Sequence, residues 1–92
     1  RPMRYQLRDL DAALVELLAE RCKLTQTIGR YKTANHLGLY QADQRAAVEA
    51  HYIELATQYG LDPHWAAQLY NLIHDYSLRG QEAVDPEDDN NF

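Results

Sequence analysis

The sequence has little of what usually specialises a small protein. Its only cysteine is Cys22, which excludes an internal disulfide and a cysteine zinc cluster. No apolar run approaches the about 18 to 20 residues of a membrane-spanning helix, so we expect no membrane association. Glycine-rich phosphate or dinucleotide motifs are missing, and the four histidines include no close pair with metal-ligand spacing. We therefore expect neither a metal nor a cofactor.

Basic residues are also scarce. Nine Lys and Arg residues stand against fourteen Asp and Glu residues, which gives a formal net charge of −5. The excess lies at the C-terminus, because residues 82–92 contain five acids and no base. We expect residues 1–81 to form one neutral domain and residues 82–92 an acidic, disordered tail. Without a basic patch, the seven tyrosines do not indicate nucleic-acid binding.

The apolar pattern is helical throughout. Glycine and proline occur only four and three times, and neither strand alternation nor a hairpin signal is present. Apolar spacings of three and four predict an all-α chain with helices at about residues 4–32, 42–59 and 63–81. Gly60 is placed where a helix C-terminal cap belongs. Asp62 followed by Pro63 is typical of a helix N-terminus.

The first predicted helix carries an apolar stripe along its whole length. The stripe consists of Met3, Leu7, Leu10, Leu14, Leu17, Leu24 and Ile28. Such a helix is roughly 40 Å long, whereas a compact chain of this size is about 30 Å across. Much of the stripe would be exposed in a single chain, and a helix from a second chain is the simplest cover.

Two cations interrupt this stripe. Arg21 lies between Leu17 and Leu24, and Lys32 follows Ile28. The two cations are about three helical turns apart and therefore share a face. Buried charge is costly unless it is paired, so these side chains either snorkel to water, pair with internal acids or bind an anion.

Further polar residues fall on the other two helices. Extending the apolar stripe of helix 2 backwards leads to Arg45 and then Gln41. On helix 3, Ser77 and Gln81 are four residues apart and share a face, although surface polarity would explain each of them alone. Spaced cations suit a small ligand with two carboxylates, since arginine holds a carboxylate in a bidentate fork.

These residues resemble the all-helical class of chorismate mutases. The first helix carries the resemblance in Met3-Arg4, Leu7, Leu10-Asp11, Leu14 and Leu17-Leu18-Ala19-Glu20-Arg21, and then in Ile28-Gly29-Arg30-Tyr31-Lys32. Gly60-Leu61-Asp62-Pro63 and Ser77 with Gln81 extend it, so it covers about residues 3–81. The spacing of the two arginines and the lysine, together with the late Ser and Gln, is fairly specific.

The resemblance implies an intertwined homodimer of three-helix chains, each with a very long first helix that completes the active site of the other chain. It implies a cytoplasmic isomerase that rearranges chorismate to prephenate in aromatic amino-acid biosynthesis without a cofactor. Carried over by position, Arg4 from one chain and Arg21 from the other bind the two substrate carboxylates. Lys32 contacts a carboxylate and the ether oxygen, Gln81 the ether oxygen, and Ser77 a carboxylate.

The start of helix 2 departs from the family pattern. Family members usually carry Arg-Glu there, with the Glu on the substrate's C4 hydroxyl, whereas this sequence has Arg45 or, with a one-residue shift, Ala46 at the Glu position. Gln41 stands where the family has an aspartate. Arg45 and Gln41 are thus candidate substrate-binding residues, and the substrate stays open.

Three alternatives to a chorismate mutase remain. Relatives that act on 4-amino-4-deoxychorismate, and isochorismate pyruvate-lyases, also look altered at this Glu. The stretch Arg30-Tyr31-Lys32 with Gln41 is similar to the aminodeoxychorismate type. The third alternative is a non-catalytic helical dimerisation or regulatory module.

Overall fold

Three α-helices make up the described part of the chain, which contains no strand. The computed structural model describes residues 2–35 and 42–82, except for the side chains at positions 33, 42, 43 and 80–82. The helices are α1, Met3–Ala34, α2, Ala42–Gln58, and α3, Pro63–Glu82. The predicted all-α class is confirmed, and the predicted helix boundaries lie within two residues of these. Gln41 and residues 83–92 of the predicted acidic tail lie outside the described residues, whereas Glu82, the first residue of that predicted tail, is the last residue of α3.

The first helix sets the longest dimension of the molecule. Its first turn begins at Pro2, whose carbonyl oxygen accepts the backbone N–H groups of Tyr5 at 3.0 Å and Gln6 at 3.3 Å. It ends where Asn35 donates its backbone N–H and its Nδ2 to the carbonyl oxygen of Tyr31, at 3.1 Å and 2.8 Å. With 32 residues, α1 is about 48 Å long, close to the 50 Å long axis of the molecule.

The end of α2 follows from one glycine. Gly60 has a φ of 75°, a left-handed conformation that costs glycine little. The N–H of Leu61 donates to the carbonyl oxygen of Ala56 at 2.8 Å, and the N–H of Gly60 donates to the carbonyl oxygen of Thr57 at 3.4 Å. This pair of bonds is the Schellman pattern, and it confirms the predicted C-terminal cap.

The start of α3 follows immediately. The Oδ1 atom of Asp62 accepts the backbone N–H of His64 at 3.0 Å, so Asp62 caps the helix. Pro63 occupies the first helical position, where a missing N–H costs no hydrogen bond. The predicted N-terminal cap is confirmed, and the turn returns the chain so that α3 packs against α2.

The core is small and centred on α3, which packs against both other helices. Its most buried side chains are Ala56, Ala66, Tyr70 and Ser77. Tyr70 is 2% exposed, and its ring lies 4.9 Å from that of Tyr52 on α2, between centroids. Two of these core residues, Tyr70 and Ser77, also line the cavity described below, so the packing that holds α3 in place also fixes the cavity wall.

The apolar stripe of α1 lies largely in solvent in the single chain. The exposed fraction of its side chains runs from 46% at Ile28 to 82% at Met3. Apart from Arg21 and Lys32, the buried or half-buried positions of α1 lie on the adjacent face, which includes Leu18, Cys22 and Gly29. The radius of gyration is 16.2 Å, against about 12 Å for a compact chain of this length. Among the described helices, none combines the length and apolar character needed to cross a bilayer.

Candidate active site

A cavity of about 310 Å³ lies where the three helices meet, near the lower end of the roughly 300–1,000 Å³ typical of small-molecule sites. Its lining residues are Arg21, Thr25, Ile28 and Lys32 from α1, Gln44, Arg45 and Val48 from α2, and Tyr70, His74, Ser77 and Leu78 from α3. Helical periodicity explains this selection, because the residues from each helix are mostly three or four positions apart and share one face. The cavity thus combines cations from α1 and α2 with polar groups from α3.

Arg21 reaches across the cavity wall to α3. Its Nη1 atom donates to the Oγ atom of Ser77 at 3.5 Å, and Ser77 is only 5% exposed. A serine hydroxyl keeps its own O–H for donation after accepting this bond. The contact joins two residues predicted for the site that are 56 positions apart in the sequence, and it leaves most of the guanidinium available to a ligand.

Internal acids do not explain the positions of Arg21 and Lys32. Both side chains are half-buried, yet among the described side chains neither forms an ion pair with an Asp or Glu. No Asp or Glu is among the described residues that line the cavity. These two cations therefore face a site that attracts an anion.

Arg45 is held differently. Its Nε and Nη2 atoms donate to the Oδ1 atom of Asn71 at 3.2 Å and 2.6 Å. Its Nη2 atom also lies 3.4 Å from Oδ1 of Asp75, an ion pair in which the Asp75 side chain is 62% exposed. The expectation of pairing with an internal acid thus holds for Arg45, although the exposed partner is well screened by water.

His74 and Tyr70 form the floor of the cavity on α3. The hydroxyl of Tyr70 and Nδ1 of His74 are 3.2 Å apart, within hydrogen-bonding distance. Burial lowers the pKa of His74, and the nearby charges of Arg45 and Arg21 lower it further, against a raising effect of Asp75. Burial also raises the pKa of Tyr70, although Arg21 and Arg45 oppose that shift. At neutral pH both groups are therefore uncharged.

The three remaining predicted site residues, Arg4, Gln41 and Gln81, are not among the described residues that line the cavity. Arg4 is exposed near the start of α1, 17 residues and about 25 Å before Arg21 along the helix axis, and it does not line the cavity of its own chain. The backbone of Gln81 belongs to α3, one turn beyond Ser77, and its side chain lies outside the described residues, as does all of Gln41.

The structure adds polar residues that were not predicted from the sequence: Thr25, Gln44, Tyr70 and His74 line the cavity, and Asn71 holds Arg45. The sequence indicates no site role for His74, which shows no metal-ligand spacing, but it lines the cavity. Tyr70 and His74 precede Ser77 by seven and three positions, which is one helix face, so that spacing could have revealed them. No group of three or more His, Cys, Asp or Glu side chains in the described part of the chain could hold a metal ion.

The chain is similar to known proteins along most of its length. Residues 3–82 match the family described as chorismate mutase type II. The bifunctional chorismate mutase/prephenate dehydratase of Escherichia coli K12 is 30% identical over 82 residues, which are 89% of this chain and 21% of that protein. The protein of the same description from Enterobacter agglomerans is 28% identical over 82 residues, with the same coverage. The 4-amino-4-deoxychorismate mutase of Streptomyces pristinaespiralis is 31% identical over 71 residues, covering 77% of this chain and 55% of that protein.

The bifunctional relatives are much longer than this chain, which spans about a fifth of their length. The similarity therefore concerns one part of those proteins. Within this chain, the family match includes the three described helices and every described residue that lines the cavity. The chain belongs to the chorismate mutase type II family.

Proposed function

We propose that this chain is a chorismate mutase that converts chorismate to prephenate in aromatic amino-acid biosynthesis. The observation that carries the proposal is the cavity, which gathers Arg21, Lys32 and Arg45 from two helices and has no acid among its described lining residues. Chorismate has two carboxylates and an ether oxygen, so it offers acceptors to each of these cations. Family membership supports the same reaction.

The chemistry requires little more than this cavity. The rearrangement is unimolecular: the ether C–O bond breaks while a C–C bond forms, and no proton is transferred. The protein has to hold the compact reactive conformer, an effect on the order of several kcal/mol. It also has to stabilise negative charge on the ether oxygen, where each preorganised donor contributes roughly 3–4 kcal/mol by analogy with oxyanion holes. Neither a nucleophile nor a general base is needed.

The proposed roles follow the positions of the donors. Arg21 binds one substrate carboxylate, with Ser77 beside it. Lys32 contacts a carboxylate and the ether oxygen, and Gln81, one turn beyond Ser77, donates to the same oxygen. Arg45 and Gln41 complete the substrate-binding set at the start of α2.

The functional unit of the proposal is a cytoplasmic, intertwined homodimer. The exposed stripe of α1 supports it, as does a second, mainly apolar cavity of about 640 Å³ between α1 and α3. Because Arg4 lies between about four and five helical turns before Arg21, the first α1 residue of its own cavity, it would act in the site of the second chain, where it binds the remaining carboxylate. A single chain would then lack a complete site.

A turnover assay tests this function. We expect the purified chain to consume chorismate and to form prephenate, detected by loss of chorismate absorbance and by chromatography of the product. Isochorismate, run in parallel, separates the mutase from a pyruvate-lyase, because only the lyase would release pyruvate. A chain that leaves chorismate, isochorismate and 4-amino-4-deoxychorismate unchanged would refute the enzyme and favour a non-catalytic dimerisation or regulatory module.

A second candidate substrate is 4-amino-4-deoxychorismate. The observation in its favour is the 31% identity to the Streptomyces pristinaespiralis enzyme named after that substrate. The rearrangement would be the same, since the two substrates differ only in the amino or hydroxyl group on the ring. The comparison of these substrates therefore tests selectivity within one mechanism.

A further inference from the structure

Arg45 is anchored more firmly than the other two cations of the cavity. The Oδ1 atom of Asn71 accepts hydrogen bonds from both Nε and Nη2 of Arg45. The Oδ1 atom of Asp75 lies 3.4 Å from the same Nη2. Two contacts to one oxygen fix the plane of the guanidinium. Its Nη1 atom has no partner among the described residues, and the side chain lines the cavity, so one donor edge stays available to a ligand.

The amide of Asn71 can take only one orientation. Its Nδ2 atom donates to Oε2 of Glu49 at 2.7 Å and to the carbonyl oxygen of Ala67 at 2.8 Å. Both partners are acceptors, so a flipped amide would set its oxygen against two acceptors and its NH2 group against the guanidinium. Asn71 therefore connects Arg45 to Glu49 and keeps the carboxylate of Glu49 engaged outside the cavity.

The result is a cavity wall that is positive on the α2 side. Asp75, the ion-pair partner of Arg45, is mostly exposed, so water weakens its field, although that field still raises the pKa of His74 against the stronger lowering effects of burial and of Arg45. Neither Asp75 nor Glu49 lines the cavity. A ligand group near Arg45 thus meets one fixed cation together with the neutral groups of Gln44 and His74.

We propose that Arg45 selects a hydroxyl-substituted dicarboxylate over its amino-substituted analogue, and that Asn71 is the residue that positions Arg45 for this selection. This inference rests on the proposed function and names the substrate class of the same site. An alkyl amine is protonated at neutral pH. In the cavity its ammonium group would be repelled by Arg45 and would find no carboxylate among the described lining residues, whereas a hydroxyl is satisfied by neutral acceptors.

The first experiment compares two substrates on the purified full chain. We expect kcat/KM for chorismate to exceed that for 4-amino-4-deoxychorismate by at least about ten-fold at pH 7, because like charges at contact distance repel strongly in a partly buried site. In Arg45→Gln, the ratio of the two kcat/KM values should fall by about ten-fold or more. Arg30→Gln is the matched control, since it removes one exposed cation of α1 that does not line the cavity, and its ratio should equal that of the wild type.

The second experiment separates positioning by Asn71 from a purely structural role. Asn71→Ala should move the substrate ratio in the same direction as Arg45→Gln and should raise the KM for chorismate more than it lowers kcat. In the double variant, Asn71→Ala should have almost no further effect on the ratio, because its effect passes through Arg45. A merely structural role would lower the unfolding midpoint while the ratio stayed at the wild-type value.

Two results would overturn the inference, and they are distinguishable. If chorismate is turned over but the wild type uses the amino analogue equally well, or if Arg45→Gln leaves the ratio unchanged, the selectivity assignment fails and the mutase function stands. If neither substrate is turned over, the proposed function fails and the selectivity assignment fails with it.

Discussion

Arg21 and Lys32 are half-buried in a cavity wall, although removing a cation from water costs free energy unless it is paired. No described acid compensates either of them. The free energy that the fold loses here is recovered when an anion binds, because a ligand that binds only the folded chain stabilises it. Both residues therefore point to function more strongly than to stability.

Substitution of Lys32 tests this reasoning. We expect Lys32→Ala to lower kcat for chorismate by about 10²- to 10³-fold, the usual loss for one donor to a developing oxyanion. The free energy of unfolding should stay the same or rise, because the removed cation has no acidic partner among the described side chains. Steady-state kinetics and urea unfolding measure the two effects.

The matched control for Lys32→Ala is Arg30→Ala, which removes an exposed cation of the same helix. It should change neither kcat for chorismate nor the free energy of unfolding by much. Retention of wild-type kcat in Lys32→Ala would contradict the role assigned to this residue.

His74 makes the stability of the chain depend on pH. Its folded-state pKa lies below the ordinary value of 6.5 because of burial and of Arg45 and Arg21, with Asp75 opposing them and uncharged Tyr70 alongside. Below pH 6.5 the unfolded chain therefore binds more protons than the folded chain. The stabilising effect is complete above pH 6.5 and is lost progressively as the pH falls below it.

Urea unfolding at pH 7.5 and pH 5.5 measures this effect. We expect the difference between the two midpoints to shrink in His74→Phe and to persist in His51→Phe, which replaces an exposed histidine of α2. An unchanged pH dependence in His74→Phe would show that other groups cause the acid sensitivity.

Local backbone conformation and hydrogen bonding fix the end of α2 and the start of α3. The left-handed Gly60 and the side-chain cap of Asp62 lie two residues apart, and together they fix how α3 leaves α2. Since Tyr70 and Ser77 depend on the path of α3, this turn contributes to the geometry of the cavity as well as to stability.

Changes at Gly60 test the turn. A Cβ atom at position 60 would meet nothing within 4 Å, so the cost of Gly60→Ala comes from the left-handed backbone alone, about 1 kcal/mol. Gly60→Asn should cost less, because asparagine tolerates this conformation. Thermal unfolding at equal protein concentration should show the order glycine, asparagine, alanine from highest to lowest midpoint, and equal midpoints for asparagine and alanine would contradict the explanation.

The single chain leaves its longest apolar surface in water. The exposed α1 side chains, with the radius of gyration of 16.2 Å, describe an elongated subunit with a small core. Three helices with so few buried side chains would be marginal alone. A second copy that covers the α1 stripe would supply the missing burial and would bring its Arg4 to the cavity.

Sedimentation of stripe variants tests the dimer. We expect the wild type to sediment as a dimer and Leu10→Asp, within the stripe, to sediment as a monomer with little turnover, since a carboxylate in an apolar interface is costly. Ala12→Asp is the control, because position 12 lies on nearly the opposite side of the helix, and it should remain dimeric. A monomeric wild type would contradict the dimer and the assignment of Arg4 to the site of a second chain.

The sequence by itself determined the features that depend on neighbouring residues. Helix boundaries, the Gly60 and Asp62 caps and the positions of Arg21 and Lys32 on one face all follow from spacings of a few residues, which helical geometry turns directly into structure. The acidic tail, the dimer and the roles of all the proposed site residues stay predictions.

Only the tertiary structure decided how those positions meet. Arg45 could be placed on a stripe from the sequence, but its partners Asn71 and Asp75 lie 26 and 30 residues away, and nothing local indicates them. The lowered pKa of His74 could not be predicted from the sequence either, since it arises from burial and from cations on α1 and α2. The physical reason is that the charge and burial of the cavity, and the orientation of its side chains, depend on how three helices pack together. The sequence of each helix determines only which of its residues share a face.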